Sequence, residues 1–286
     1  MDKLSDIQRK ILLDTLLLFH DLCQKLGLSY CLAYGTLLGA VRHGGFIPWD
    51  DDIDIMIKRD DYEKLLAYCR QHKNEDWCLG CFDCGTKNIH LLSKFYNRKY
   101  RVLEEGNFLT CPWLDIFVLD PVPKEKFSSY LKKVKFSASL WSAKKEKIRF
   151  DKHYTPTKFA FCRILDRVKK ILCPISEERA EKMLLSSLTK YKDCPNADMF
   201  FCWTTDKNFS PKNCVFEKDW FEESIEWDFE GHKIMIPKEY DRLLTKMFGD
   251  YMTPPPPEKR VFQHQNIFLR PGEHYVCLYR YPEDIK

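Results

Sequence analysis

The residues in this chain best suited to chemistry are two aspartates one residue apart, in Asp52-Ile53-Asp54-Ile55-Met56-Ile57. On a strand, side chains alternate between faces, so Asp52 and Asp54 share one side while Ile53, Ile55 and Ile57 point into a core on the other. Neighbouring carboxylates repel and raise each other's pKa. A hard divalent cation, Mg²⁺ or Mn²⁺, relieves that repulsion by taking carboxylate and phosphate oxygens together. For Asp50-Asp51-Asp52 alone, a solvated acidic edge or a helix cap is an equal reading, and the run into an isoleucine-rich strand is what favours the metal.

Upstream, the apolar run Tyr30-Cys31-Leu32-Ala33-Tyr34 leads into Gly35-Thr36 and then Leu37-Leu38-Gly39-Ala40-Val41-Arg42, a pattern of strand, turn and short helix. Backbone N–H groups at Gly35 and Thr36, the Thr36 hydroxyl and the positive end of the helix make a cradle for phosphate. Arg42 adds a planar fork for the same anion. A Gly-Thr helix start by itself is ordinarily a cap, and its weight here comes from lying just upstream of the carboxylate strand.

Together these residues resemble the DNA polymerase β type of nucleotidyltransferase fold. More narrowly, the run from Gly35 through Arg42-His43-Gly44-Gly45-Phe46-Ile47-Pro48-Trp49-Asp50-Asp51 to Ile55 resembles the LicD family, the phosphocholine transferases that include the fukutin-related proteins. The resemblance continues in Trp113-Leu114-Asp115-Ile116-Phe117-Val118-Leu119-Asp120-Pro121. It resumes at Phe229-Glu230-Gly231, Pro237-Lys238-Glu239-Tyr240 and Phe248-Gly249-Asp250-Tyr251-Met252.

The resemblance implies an α+β fold, a mixed sheet flanked by helices, and a third carboxylate. Asp115 suits that place because Leu114, Ile116 and Val118 would face away from it. Asp120 precedes Pro121 at an expected strand end, where aspartate starts turns. The implied reaction is Mg²⁺-dependent transfer of phosphocholine from CDP-choline, or of a ribitol, glycerol or sugar phosphate from another CDP-activated donor. The acceptor would be a hydroxyl of a cell-surface glycan precursor or lipid-linked saccharide, and CMP would leave. Asp52, Asp54 and Asp115 would hold the metal, and Asp115 is open to a second reading as the base.

Gly35, Thr36, Arg42, Lys94, Lys259, Arg260 and His264 are the candidates for donor phosphates. His264 departs from the family pattern in lying in Gln263-His264-Gln265 rather than in a pair of histidines. Choline is a quaternary ammonium that aromatic faces hold by roughly 0.5 to 2 kcal/mol per contact, and Tyr34, Trp49, Tyr96 and Trp113 lie nearest the motifs. The alternatives are a true nucleotidyltransferase that releases pyrophosphate, and a non-catalytic binding protein on the same fold.

Composition bounds the rest. The chain of 286 residues, 44% hydrophobic, can bury a sizeable core. Its start reads as an amphipathic helix, with neither a signal peptide nor a membrane span expected. The 13 cysteines suggest reduced thiols and a cytoplasmic setting. A zinc site at Cys78, Cys81 and Cys84 would need a fourth ligand such as Cys69, His72, His90 or Cys111, and the general abundance of cysteine argues for small buried thiols instead.

A net charge of +4 and no recognised module argue against nucleic acid. Basic residues nevertheless crowd between Lys124 and Lys170, among them Lys132, Lys133, Lys135, Lys144, Lys145 and Lys147, with Phe136 and Trp141 interleaved. That pattern suits either a solvated helical face or peripheral contact with the anionic inner membrane face.

Along the chain we expect a helix over about 4–25 closed by Gly27, the metal strand over 49–57, a helix from Asp60 to Gln71, and strands near 89–96 and 100–103. A single domain is expected, with its core in 1–123 and 229–286 and a mostly helical basic insert over 124–228.

Overall fold

The computed structural model describes residues 5–81, 92–104, 108–144, 175–203, 211–262, 267–269 and 279–280. Helix α1 (Asp6–Leu26) is fixed at both ends by local chemistry. Ser5 Oγ accepts from Gln8 N at 3.3 Å while Gln8 Oε1 accepts from Ser5 N at 2.9 Å, a reciprocal capping box. Gly27 closes the helix in left-handed backbone at φ 62°, its N–H reaching the Cys23 and Gln24 carbonyls. Leu12, Leu16, Phe19 and Leu22, three and four apart, bury the stripe that packs into the core.

Strand β1 (Tyr30–Leu32) and helix α2 (Tyr34–His43) follow, then β2 (Asp54–Lys58), α3 (Arg59–Gln71), β3 (Trp77–Gly80), β4 (Ser93–Asn97), β5 (Arg101–Glu104), β6 (Phe108–Thr110) and β7 (Trp113–Val122). The main mixed sheet runs β1-β2-β7-β4-β3. In it β2 and β7 are parallel, and β1–β2, β4–β7 and β3–β4 are antiparallel. Later in the chain β8 (Met199–Cys202) joins β7, and β9 (Val215–Glu217) joins β8. The hairpin β10 (Ser224–Phe229) and β11 (His232–Pro237) turns through Glu230 and Gly231, both at positive φ, as a tight hairpin turn requires. A smaller sheet runs β12 (Ile267–Leu269), β5, β6, β13 (Tyr279–Arg280).

Strand β2 departs from the sequence reading in two ways. Regular pairing begins at Asp54, not Trp49. Pro48 has no N–H to give, three consecutive carboxylates disfavour a ladder, and Asp50 N instead closes a turn on Ile47 O at 3.0 Å. The strand is also buried on both faces, Asp54 and Met56 as well as Ile55 and Ile57, so its period of two does not separate core from solvent. Strand β7 likewise continues through Asp120-Pro121 to Val122, where a turn was expected.

The structure divides into two compact units, Met1–Asp120 with Asp198–Lys286, and Pro121–Ala197. In the second, α4 (Phe127–Lys144) packs on α5 (Glu177–Leu188), joined by Tyr130 Oη donating to Leu188 O at 3.0 Å and by a 2.8 Å bond between the Ser137 and Ser187 hydroxyls. Lys132, Lys133, Lys135 and Phe136 are exposed on α4, while Lys145 and Lys147 lie outside the described residues. Among the described residues no helix is long and apolar enough to cross a membrane. Eight described cysteines are free thiols, whereas Cys81 is disulfide-bonded and so departs from the expectation of thiols reduced throughout. Cys84 and His90, weighed for zinc, fall outside the described residues.

Candidate active site

Asp54 opens β2, and the parallel register makes it the Cα partner of Asp115 on β7. Lys94 on β4 is in turn the partner of Asp115 across the antiparallel β4–β7 pair. Directly paired residues project to the same side of a sheet, so Asp54, Asp115 and Lys94 form a row across three strands. Hydrogen bonds from Asp115 N to Ile53 O at 2.8 Å and from Ala33 N to Asp54 O at 2.9 Å fix the backbone beneath them.

The start of α2 is tied to the same point. Thr36 Oγ1 accepts from Asp54 N at 2.9 Å, a helix-to-strand link that the sequence reading did not assign to this hydroxyl. A side chain at Gly35 would run into the Asp50 carboxylate, so the glycine lets that carboxylate lie against the helix start. Tyr34 stands in left-handed backbone at φ 42°, a costly place for an aromatic residue and one often found beside functional groups. Gly39 holds the next loop in place: a Cβ there would come 2.5 Å from the Gly45 carbonyl oxygen.

Burial, then the charges of Asp52, Asp115 and Asp50, push the Asp54 carboxyl well above the ordinary carboxylate range, with Lys94 pulling the other way. Sequence reasoning passed over Asp50, and the signal for it was Gly35, whose missing side chain admits it. Lys94 Nζ lies 2.9 Å from Asp115 Oδ1 and 4.2 Å from the centre of the Trp113 ring. That oxygen is buried and has no aligned hydrogen-bond donor, so the ammonium neutralises it without bonding it well.

Crowded carboxylates and an underbonded buried oxygen fit a divalent cation by charge and by ligand type. Among the described residues, however, no three His, Cys, Asp or Glu side chains stand together in an arrangement that would hold a metal, and the Lys94 ammonium is the cation beside Asp115. Asp120 is placed quite differently. Arg59 grips it through Nε–Oδ1 at 2.7 Å and Nη2–Oδ2 at 2.9 Å, both side chains buried.

The other candidates are not part of this row of paired strand residues. Arg42 donates to Tyr251 O at 2.7 Å, and Arg260 lies 5.2 Å from the Trp49 ring centre. Lys259 is exposed, and His264 lies outside the described residues. Of the four rings considered for choline, Tyr96 and Trp113 meet at 6.4 Å. Tyr34 gives its hydroxyl to Asn213 O at 2.8 Å and packs edge-on against Phe117. The Trp113 and Trp49 faces already carry protein cations, Lys94 and Arg260.

Comparison with known proteins agrees with the motifs. Residues 27–163 match the family described as LicD/FKTN/FKRP, nucleotidyltransferase domain. The chain is 29% identical over 266 residues to the lipopolysaccharide cholinephosphotransferase LicD of Haemophilus influenzae, covering 90% of this chain and 94% of that one. An uncharacterized protein of Rickettsia prowazekii is 36% identical over 107 residues, 37% of this chain and 31% of that one. The human ribitol 5-phosphate transferase FKRP is 54% identical over a short stretch of 35 residues, 12% of this chain and 7% of that one. Over residues 27–163, which carry Thr36, Asp52, Asp54, Lys94 and Asp115, the chain matches the LicD/FKTN/FKRP family.

Proposed function

We propose that this chain is a LicD-type phosphotransferase on a nucleotidyltransferase-like fold. It moves phosphocholine, or a related substituted phosphate, from a CDP-activated donor to a hydroxyl of a glycan or lipid-linked saccharide. The observation that carries the reading is the row of Asp54 and Asp115 on adjacent parallel strands, with Thr36 pinning a helix start to Asp54 N at 2.9 Å. The activities named for two relatives, transfer of cholinephosphate and of ribitol 5-phosphate, support a substituted phosphate as the group moved.

Asp52, Asp54 and Asp115 do not stand as a ready metal set, and would hold Mg²⁺ once drawn together as Lys94 moves off Asp115; the ion would then neutralise the donor diphosphate and stabilise the leaving oxygen. The chain's own groups do the rest. The N–H groups at Gly35 and Thr36 face phosphate oxygens, and Lys94 leaves Asp115 for the donor's negative charge. The acceptor oxygen bonds to the phosphorus that bears choline as the bond from that phosphorus to CMP breaks. The hydroxyl proton passes to Asp115 or to water. A cytoplasmic site at the inner membrane face suits a lipid-linked acceptor, and the exposed Lys132, Lys133, Lys135 and Phe136 suit contact with anionic headgroups.

The test is incubation with CDP-choline, CDP-ribitol, CDP-glycerol and CTP, each with Mg²⁺ and with chelator. CMP release from one CDP donor, abolished by chelator, is the expected result. Pyrophosphate release from CTP would move the chain to the second reading, a true nucleotidyltransferase.

A further inference from the structure

Arg42, at the end of α2, and Arg260, after the proline run, are brought together from opposite ends of the chain. Arg42 Nη1 donates to Tyr251 O at 2.7 Å and Arg260 Nε donates to Pro255 O at 2.7 Å, so backbone carbonyls hold both guanidiniums in place. Arg260 lies over the Trp49 ring at 5.2 Å, and the His43 ring meets the same indole at 5.9 Å and 87°. Both arginines are half-buried.

Neither has a carboxylate partner among the described residues. By contrast Arg9, Arg59 and Arg242 are ion-paired, to Glu230, Asp120 and Asp219. Burial and the nearby charge of Arg260 both pull the Arg42 guanidinium below its ordinary pKa, a sign of like charges held close. Carbonyls and an indole face can orient a guanidinium but carry no countercharge. Two oriented cations with unused N–H groups therefore lack an anion, and a doubly charged tetrahedral oxyanion satisfies both forks where a single carboxylate would leave one charge over.

We propose that Arg42, beside His43, and Arg260, over Trp49, form a binding site for a phosphate-bearing anion. The donor's diphosphate and a phosphate on the acceptor both have this chemistry. The site stands on the arginines and not on the carboxylate row, so it is testable without metal.

The experiment titrates inorganic pyrophosphate into the full-length protein in chelator, by calorimetry and by thermal melting. Binding is expected in the parent chain, at least tenfold weaker in Arg260→Gln and in Arg42→Gln, intermediate in Arg260→Lys, which keeps charge but not the fork, and unchanged in Arg242→Gln and Asp54→Asn. Should Arg42→Gln fail to fold, Arg260→Gln, on an irregular half-buried segment, carries the test. No binding by the parent chain, or binding that both Gln variants leave intact, overturns the proposal. Titration of CDP with Mg²⁺ then separates the sources: weaker CDP binding in Arg260→Gln places the donor's diphosphate there, and unchanged CDP binding beside lost pyrophosphate binding places a phosphate of the acceptor there. Loss of activity in Asp54→Asn with pyrophosphate binding retained keeps this site distinct from the metal reading.

Discussion

Strand β7 presents two aspartates five positions apart, the half-buried Asp115 and the buried Asp120, each next to a basic side chain. Asp120 accepts two parallel hydrogen bonds from Arg59, at 2.7 and 2.9 Å, the arrangement that best repays taking two charges out of water. Asp115 faces a single ammonium at 2.9 Å, keeps a buried oxygen without an aligned donor, and sits beside Asp54 and its crowd of carboxylates. Stability alone would have completed the second set of bonds as it completed the first. The difference teaches that one strand can carry a structural pair at one end and, at the other, a pair left open for something to finish it.

The sharpest way to break this comparison is Asp54→Asn. If the carboxylate row is the reacting centre, transferase activity falls by about 10³-fold, the several kcal/mol that charge stabilisation by a bound metal supplies. The same variant removes a buried charge crowded by Asp52, Asp115 and Asp50, so the melting temperature in chelator rises. A lower melting temperature with activity retained would make Asp54 a structural residue.

Asp120→Ala tests the other end. It leaves Arg59 buried without its partner and costs about 3–5 kcal/mol of folding free energy, measured by denaturant unfolding, while the turnover of molecules still folded is kept. A cost near zero would refute the structural assignment.

Lys94→Met asks whether the ammonium competes with a metal for Asp115. Tighter Mn²⁺ binding, read by electron paramagnetic resonance of free Mn²⁺, is expected because a like charge is removed, and weaker binding would make Lys94 a support for Asp115 instead.

Gly39→Ala probes the loop that carries the carboxylates. Its Cβ meets the Gly45 carbonyl oxygen at 2.5 Å and Ile47 N at 3.2 Å, so backbone must shift at about 1–3 kcal/mol, typical of overpacking. The smallest effect belongs to Ser5→Ala, far from either pair, where loss of the cap costs about 1 kcal/mol and leaves activity unchanged.

Much of this was legible because it is local. The ends of α1 follow from Ser5, Gln8 and Gly27, and α3 lies within one residue of its expected start because acidic residues favour the first turn of a helix. The α+β class, strands β4 and β5 and the aspartate-bearing stretches could be read from spacing and motif, whereas β3 and β6 were not. Other features resisted. Strand β2 was read too long because it was begun at Trp49, ahead of three consecutive aspartates where the chain turns before it pairs, and β8, four buried apolar residues without alternation, gave no signal as a partner of β7.

The sequence by itself determined which residue types were available for chemistry, where helices start and stop, and the family that residues 27–163 match. Only the tertiary structure decided that Lys94 faces Asp115, that Arg59 takes Asp120, that Thr36 binds the Asp54 backbone and that Arg260 lies over Trp49, within reach of the charge on Arg42. Capping and alternation act over a few residues and leave their mark in spacing. These partnerships depend on strand order and on chain segments far apart in sequence, which no local period encodes.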